Sequence, residues 1–461
     1  MKRTLKPLLL LLTVSAVAAC STMDGVKRGA ETRASASLPA VKQQWRAIET
    51  EVVGEPVGWI ASFNDPVLSA LVKEAQDNNR DLAAAASAVE ASRAAAGLAN
   101  AALSPQVSVG AGTQNQGLVD GPDTSSTNLG LQAGWEVDLW GRLRAGREGA
   151  VQSLEAAEAD YTFSQYSIAA AVANGYFAAI EAARQKALSQ SLVEALEETD
   201  RITRVRYDNG IGNAQDVALS QSNLSDARDS LIEIQGAERN ALRALEVLLG
   251  RYPGADLRVR TTLPDLPPPL PVGVPADILE RRPDLIAAER RIAEAIAGQS
   301  EAKAARLPTL SLTSSVGGSS SDLSNLLDPS NLAWTAASNL LAPIFDGGAR
   351  QAQVALANAE LDAAAAQYAA AALAAFSEVE QALDQETVLR KRRAELDQSA
   401  EQAAEALRLA LLRYDEGETD LIDVLNIQSR VVGAQRNLIN VQRRQLSERI
   451  NLTLALGGSW E

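Results

Sequence analysis

The side chains that could do chemistry in this chain are carboxylates, basic groups and one thiol. Its 461 residues include no histidine and a single cysteine, Cys20. Without histidine the usual zinc sites, imidazole bases and Cys/His nucleophiles are excluded. Glu378 and Glu380 are two residues apart on a predicted helix and do not share a face, and Gly110 and Gly112 lie in a strand-like stretch rather than in a phosphate-binding loop. We therefore expect no enzyme, no metal site and no cofactor.

Cys20 follows a stretch that predicts a secretory signal. MKRTLKPLLLLLTVSAVAAC has a basic start and an apolar run that is too short for a stable spanning helix. Its end, VAAC, resembles a bacterial lipobox, in which the cysteine becomes the acylated first residue of the mature protein. We predict a signal peptide over residues 1–19, lipid attachment at Cys20 and a polar tether over residues 20–50. Cleavage by an ordinary signal peptidase beside an incidental cysteine is the alternative.

The acids exclude one class of partner and cluster in a turn that occurs twice. A formal net charge of −15 argues against duplex nucleic acid as a partner. The stretch RYDEGETDLIDV covers residues 413–424, and a near copy, RYDNGIGNAQDV, covers residues 206–217, at an offset of 207 (413 minus 206). In both copies a glycine follows Arg-Tyr, which predicts a sharp helix end because glycine adopts the left-handed conformation easily.

The repeated turn belongs to a duplication that covers most of the chain. Residues 81–109 align without a gap on residues 284–312, and a proline at positions 105 and 308 ends a small-residue helix in each copy. Each copy then predicts two short strands, a glycine turn, a long proline-free helix, the Arg-Tyr turn and a return helix. We place the loop of the first strand pair at LVDGPDTSST, residues 118–127.

The predicted organisation follows from this alignment. Its parts are a first copy over 51–250 with a strand pair at about 106–137 and a tip near 206–213, a proline-rich connection over 251–280, a second copy over 281–457 with a strand pair at about 309–343 and a tip near 413–420, and a C-terminal tail over 458–461.

Two strands per copy give four per chain, and these have the length that crosses a bilayer. No segment provides the run of about 18 apolar residues that a spanning helix needs. Four strands leave two open edges, which a bilayer does not accept, so several chains must close the sheet; three chains would give a twelve-stranded antiparallel barrel. A small soluble sheet that caps a helical bundle is the alternative.

WIASFNDPVLSALVKEAQDNNRDL (residues 59–82) is similar to the start of outer-membrane factors of the TolC superfamily, in their lipidated OprM/NodT-like branch. GVPADILERRPDLIAAERRIAEA (273–295) is similar to the start of their second repeat. LAPIFDGGARQAQ (341–353) and WEVDLWGRLRAG (135–146) look like their returns from membrane to helix.

The resemblance implies a fold and a function. The expected fold is mainly α with a small β part, internally duplicated, and trimeric. A 12-stranded outer-membrane β-barrel, with four strands from each chain, would continue into a long periplasmic α-helical barrel. The expected function is the outer-membrane exit duct of a tripartite efflux pump for drugs or other small molecules. Its expected partners are a periplasmic adaptor and an inner-membrane transporter, often of the resistance-nodulation-division type in this branch, and the expected location is the outer membrane of a Gram-negative bacterium.

The resemblance also implies roles for particular residues. The two turns would form periplasmic tips that an adaptor grips, through Arg206, Tyr207, Gly210, Arg413, Tyr414 and Gly417. Asp423 matches an acid of the closed entrance in relatives, and Asp216 is its first-copy equivalent. Asn426 and Thr419 depart from the acid and the latching arginine that some relatives have there. An ordinary acid that favours a helix N-terminus is the alternative reading of Asp423.

Two other functions remain open at this point. One is the outer component of a type I protein secretion system, which would use the same duct for a different cargo. The other is a structural helical lipoprotein without a pore, although the duplicated strand pairs and glycine turns argue against it.

Overall fold

The computed structural model describes residues 25–47, 58–117, 119 and 123–458. The helices are α1 (25–37), α2 (Trp59–Ser62), α3 (Pro66–Asn78), α4 (Arg80–Ala101), α5 (Arg142–Asp208), α6 (Ala214–Leu248), α7 (Ile278–Arg281), α8 (Pro283–Ala304), α9 (Ala349–Asp415) and α10 (Leu421–Ala455). The strands are β1 (Gln106–Gln116), β2 (Thr124–Val137), β3 (Thr309–Ser320) and β4 (Leu332–Leu341). The predicted signal peptide, Cys20 and part of the predicted tether lie outside the described residues.

The two copies of the duplication contain helices of equal length. α4 and α8 have 22 residues each, α5 and α9 have 67, and α6 and α10 have 35. At 1.5 Å per residue, a helix of 67 residues is about 100 Å long. The uninterrupted helices expected from the proline-free stretches are therefore confirmed. No helix in the described part of the chain combines the length and the hydropathy that spanning a membrane requires.

An aspartate shortly before each long helix accepts hydrogen bonds from backbone N–H groups at the start of that helix. The Asp138 carboxylate accepts hydrogen bonds from the backbone N–H groups of Leu143 and Arg144, at 3.1 and 3.0 Å. Asp346 accepts likewise from the N–H groups of Gly348 and Arg350, at 3.0 and 3.1 Å. These bonds satisfy amides that have no partner within the helix, and the negative charge is favourable at a helix N-terminus.

The chain divides into two compact units. The first contains the described residues of Met1–Pro39, Ser87–Asp160 and Asp284–Ala372, and the second contains those of Ala40–Ala86, Tyr161–Pro283 and Leu373–Glu461. The first unit holds an antiparallel sheet in the order β1-β2-β3-β4. Its register pairs Gln106 with Gly134, Val137 with Leu310, and Thr309 with Leu341. β1 and β4 are thus the edges of the sheet.

β2 begins earlier than the sequence indicates. Residues 124–127 were assigned to the loop because they are serine and threonine, but they pair with β1, so that assignment is wrong. Their hydroxyl groups find partners across the sheet. The Ser126 and Ser319 hydroxyl oxygens are 3.0 Å apart, and those of Thr113 and Thr127 are 3.3 Å apart. Cross-strand hydroxyl pairs of this kind stabilise a strand that has no apolar pattern.

Part of the segment assigned to a tether is a packed helix of the first unit. Ala30 and Ala34 of α1 are buried with Ile292 and Tyr368. The Lys27 ammonium lies 2.9 Å from the Glu155 carboxylate. Alanine and charged residues give this helix a weak apolar signal, and its small-residue face becomes evident only where a second helix covers it.

The core of the second unit forms where α2 and α3 contact the middle of α5 and the C-terminal part of α10. The side chains of Trp59, Phe63 and Leu68 belong to one buried cluster with Tyr176 and Phe177. The Phe63 and Phe177 ring centroids are 5.3 Å apart in a tilted arrangement. This cluster explains why the short motif that begins at Trp59 carries so many of the large side chains of an alanine-rich chain.

Asp65 is a buried carboxylate with four donors at the edge of this core. Its side chain is 0% exposed. One oxygen accepts from the N–H groups of Val67 and Leu68, and the other accepts from the Tyr176 hydroxyl at 3.1 Å and the Arg260 guanidinium at 3.2 Å. Burial, together with the Asp65 charge, raises the pKa of the Tyr176 hydroxyl, which therefore stays protonated and donating. A buried charge is tolerated because every oxygen is paired.

We expect Asp65→Ala to lower the free energy of unfolding by about 2–5 kcal/mol, because it removes a helix cap and leaves Arg260 and Tyr176 without their acceptor. Tyr176→Phe removes one hydrogen bond and should cost about 1 kcal/mol. The measurement is thermal or denaturant unfolding of the purified protein in detergent. Asp77→Ala, an exposed acid of the same helix, is the control and should stay within about 0.5 kcal/mol. Equal losses for Asp65→Ala and the control would contradict the assignment.

Candidate functional site

The two Arg-Tyr turns of the second unit have the same backbone structure. We call residues 206–213 the first tip and residues 413–420 the second tip. In the first tip the N–H groups of Gly210 and Ile211 donate to the carbonyls of Tyr207 and Arg206. In the second tip the N–H groups of Gly417 and Glu418 donate to the carbonyls of Tyr414 and Arg413. The same pattern of bonds closes the end of each long helix.

Each tip requires glycine at the position where its backbone is left-handed. Gly210 has φ +74° and Gly417 has φ +78°, and a Cβ atom at either position would meet no neighbour within 4 Å. The requirement is therefore conformational and not steric, since a side chain disfavours this left-handed backbone by about 1–2 kcal/mol. Turn geometry accounts for both glycines, and adaptor docking at them remains a prediction.

The helices that leave the two tips are capped differently. Asn213 caps α6, since its Oδ1 accepts from the Asp216 N–H at 2.8 Å while its amide donates to the Asp216 carboxylate at 3.0 Å. Asp216 thus has a structural partner within its own helix turn. Asp420 precedes α10 without a side-chain capping bond. The Thr419 hydroxyl instead donates to the Asp423 carboxylate at 2.9 Å.

Asp423 is exposed beside an open cavity at the second tip. The cavity is about 720 Å³ and is lined by Ala410, Arg413, Thr419, Asp423, Asn426, Ile427, Ser429 and Arg430. Within one chain, two guanidinium groups therefore surround the space that Asp423 faces. The gate roles of Asp423 and Asp216 remain predictions, and the Asn213 cap gives Asp216 a simpler structural role.

A contact between the two tips was missed by sequence reasoning. The Arg206 guanidinium carbon lies 4.8 Å from the centre of the Tyr414 ring, within the range of a cation–π interaction. Tyr414 also packs on the buried cluster that contains Leu421 and Leu425. The sequence carries a signal for this contact, since Arg-Tyr occurs in both tips, but it does not reveal which arginine meets which tyrosine.

The corresponding residues of the other pair are exposed. Tyr207 is 48% exposed. The Arg413 Nε atom lies 3.7 Å from a Glu418 carboxylate oxygen, and both side chains are about 60% exposed. The tips therefore differ in their contacts although their backbones agree.

An ion pair is repeated in the long helices close to the tips. Arg201 donates to Glu198 on α5, and Arg408 donates to Glu405 on α9, at the same offset of 207. The hydrogen bonds from these arginines lower the pKa of Glu198 and of Glu405. Both pairs are fully charged at neutral pH. Across the described ranges, no group of three or more His, Cys, Asp or Glu side chains could hold a metal ion.

The copies seen in the structure correspond to the two segments that a family model recognises. The model described as outer membrane efflux protein matches residues 71–251 and 274–458. The chain belongs to the outer membrane efflux protein family. The two matched segments end close to Gly250 and Gly457, where the return helices of both copies end. The resemblance to the TolC superfamily of outer-membrane factors is confirmed.

Similar proteins cover nearly the whole chain. The pyoverdine export outer membrane protein OpmQ of Pseudomonas putida is 32% identical over 417 residues, which cover 87% of this chain and 88% of that protein. The outer membrane protein OprJ of Pseudomonas aeruginosa is 30% identical over 462 residues, which cover 98% of this chain and 95% of that protein. The structure of the outer-membrane channel OprN matches with a TM-score of 0.84 at 28% identity, and covers 92% of this chain and 98% of that one.

These matches confirm several expectations for this efflux protein. The mainly α fold with a small four-stranded sheet and an internal duplication is confirmed, as are an outer-membrane location and a function in efflux. The family consists of efflux proteins and not of enzymes. Lipid attachment at Cys20 and the docking role of the tips stay predictions.

We expect Asp423→Ala to raise the basal conductance of the reconstituted efflux protein, because the predicted entrance loses a carboxylate. Asp423→Asn keeps an acceptor for Thr419 while removing the charge, so the two variants separate charge from hydrogen bonding. The measurement is single-channel current and cation preference in planar bilayers. Asp216→Ala serves as the comparison and should act on the capping of α6 instead. An unchanged current and ion preference in both Asp423 variants would eliminate Asp423 as a gate residue.

Proposed function

We propose that three copies of this chain form the outer-membrane exit duct of a tripartite efflux pump. A periplasmic adaptor would grip the six tips, and an inner-membrane transporter of the resistance-nodulation-division type would supply drugs or other small molecules. The observation that carries this proposal is a helix face that is buried in the second half of the duplication and exposed in the first half.

Within one chain, the first-copy helix α5 contacts the second-copy helix α10. The Arg184 guanidinium donates to the Gln442 side chain at 2.8 Å, and the Gln185 amide donates to the Arg436 carbonyl at 3.3 Å. The Arg443 guanidinium lies 2.6 Å from the Glu181 carboxylate. Polar contacts of this kind, together with buried apolar residues, join the two copies.

The equivalent face on α6 has no such cover in a single chain. Ile439 of α10 is 7% exposed, whereas Ile232, its equivalent at the offset of 207, is 65% exposed. On α9, Val388 is 37% exposed, and it is the equivalent of Glu181. An apolar side chain left open at a position that is buried in the other copy indicates a surface that another chain covers.

The charges on these two open faces are complementary in the register that the duplication predicts. Gln185 and Arg436 are in contact, and their equivalents are Arg392 on α9 and Asp229 on α6. Phe177 and Leu446 share one buried cluster, and their equivalents are Asp384 on α9 and Arg239 on α6. The last four side chains form no ion pair within the described residues. This complementarity favours packing of α9 of one chain against α6 of the next chain.

Such an interface is head-to-tail, and head-to-tail contacts close into a ring when the rotation between neighbouring chains closes. In the first unit, β1 and β4 are the edges of a four-stranded sheet. Three chains would pair those edges in a barrel of twelve antiparallel strands. Several relatives are named for pyoverdine export, antibiotic efflux and toluene efflux by those proteins. They support small molecules over proteins as the cargo of this chain.

The function is tested by purifying the protein from outer membranes and reconstituting it in planar bilayers. We expect an SDS-resistant trimer and discrete ion channels, and a deletion strain should become more sensitive to drugs. Inclusion of an Asp423→Ala variant guards against a closed entrance that hides the pore. A monomer without conductance in both proteins would refute the duct.

We expect Asp229→Arg and Arg392→Asp, each alone, to weaken the trimer, because each places like charges in contact at all three interfaces. The double variant should restore assembly. The effect is on the order of 1 kcal/mol per interface and should decrease with added salt. The measurement is the fraction of trimer in detergent by analytical ultracentrifugation.

The matched control for this exchange is Asp226→Arg. Asp226 is an exposed acid on the same helix, and its second-copy equivalent, Gly433, has open space around it. This variant changes the charge equally and should leave the trimer intact. Weakening by the control, or a double variant no better than the singles, would contradict the register.

A further inference from the structure

We propose that Arg413 of one chain stacks on Tyr207 of the next chain. This contact repeats between chains the Arg206–Tyr414 contact that forms within each chain. This inference rests on the proposed ring of copies and adds the contact that holds neighbouring tips together. We call the Arg206–Tyr414 contact within a chain the internal clasp, and the contact of Arg413 with Tyr207 of the next chain the external clasp.

The internal clasp provides the geometry. Arg206 comes from the first copy and Tyr414 from the second, with 4.8 Å between the guanidinium carbon and the ring centre. The rotation that carries the α5/α10 contact onto the proposed α9/α6 contact also carries Arg206 onto Arg413. The same rotation carries Tyr414 onto Tyr207 of the next chain. The external clasp is therefore the only arrangement that gives the second arginine the environment of the first.

Exposure in the single chain agrees with this pairing. Tyr207 is 48% exposed, whereas its equivalent, Tyr414, packs on Leu421 and its neighbours. An exposed tyrosine ring offers a cation–π site in which arginine is the preferred cation. The partner is thus a second copy of this chain, and the match is one of chemistry as well as position.

The two clasps differ because an acid competes with the tyrosine ring for one of the two arginines. Glu418 lies 3.7 Å from Arg413 in the second tip, and its first-tip equivalent is Ile211. Arg206 therefore has no acid at that position of its tip and forms no ion pair within the described residues, whereas Arg413 is shared between Glu418 and the neighbouring tyrosine. The external clasps are the weaker set, so the tips separate between chains before they separate within a chain.

This assignment gives the closed entrance a cation that Thr419 does not supply. Thr419 is bonded to Asp423 and has no charge with which to reach a neighbouring chain. Arg413 lies in the same cavity wall as Thr419 and Asp423. Loosening of three Arg413–Tyr207 contacts would then widen the ring of tips and open that cavity.

The first test measures basal current through the reconstituted trimer. An exposed cation–π contact shifts an equilibrium by about two- to fivefold, so loss of three contacts per ring should raise the open fraction roughly tenfold or more. We expect this rise for Tyr207→Leu and Arg413→Gln. Tyr207→Phe keeps the aromatic face and should conduct as the parent does. A rise in Tyr207→Phe equal to that in Tyr207→Leu would overturn the stacking.

Glu418→Gln gives the opposite expectation. It frees Arg413 for the neighbouring ring and should lower the basal current. Glu416→Gln removes the same charge at the same tip, where Glu416 has no side-chain contact with Arg413 in the described structure, and should leave the current unchanged. An equal effect of both variants would mean that tip charge alone acts, and would overturn the role of Glu418.

The second test locates the contact. A chain carrying Tyr207→Cys and Arg413→Cys is treated with a short bismaleimide, and covalent dimers and trimers are expected on denaturing gels after heating that dissociates the SDS-resistant trimer. A chain carrying Arg206→Cys and Tyr414→Cys should react within itself and run as a monomer, and the parent with Cys20 alone is the blank. Conducting trimers without a covalent ladder in the first chain would overturn the clasp alone. A complete absence of trimers would instead overturn the proposed duct.

Discussion

The duplication gives each chain two equivalent helix faces that have to be buried. Contacts within one chain bury only one of them. In this efflux protein α5 contacts α10 inside the chain, and Ile439 of α10 is buried, whereas its equivalent on α6, Ile232, is exposed. The rest of the molecule depends on this constraint. Three features follow from it: the exposed edges of the sheet, the open half of the tip contacts, and four charged side chains that form no ion pair within the described residues, Asp229, Arg239, Asp384 and Arg392.

The two copies have diverged in the places where their environments differ. Glu181 bonds to Asn440 and Arg443 inside the chain, while its counterpart, Val388, is apolar and half-exposed. A face that meets its partner during folding can use long polar side chains that are ordered at once. A face that waits for another chain is better served by opposite charges, which orient the encounter before apolar contact is made.

Sequence patterns were sufficient for the elements and insufficient for some contacts. Proline-free stretches and repeated glycines predicted both long helices and both tips, because helix breaking and left-handed turns are local properties. The hydroxyl-rich start of β2 and the alanine face of α1 were misread, because neither has an apolar pattern of its own. Both are stabilised by a neighbouring element, through hydroxyl pairs in one case and buried Ala30 and Ala34 in the other.

The sequence by itself determined the duplication, the order of the elements, the position of the turns and the absence of histidine chemistry. Tertiary structure decided that Arg206 reaches Tyr414 and that Asp65 joins Tyr176 and Arg260. The reason is that two copies of a motif are equivalent in sequence, and only a folded chain distinguishes the copy that has a neighbour from the copy that does not.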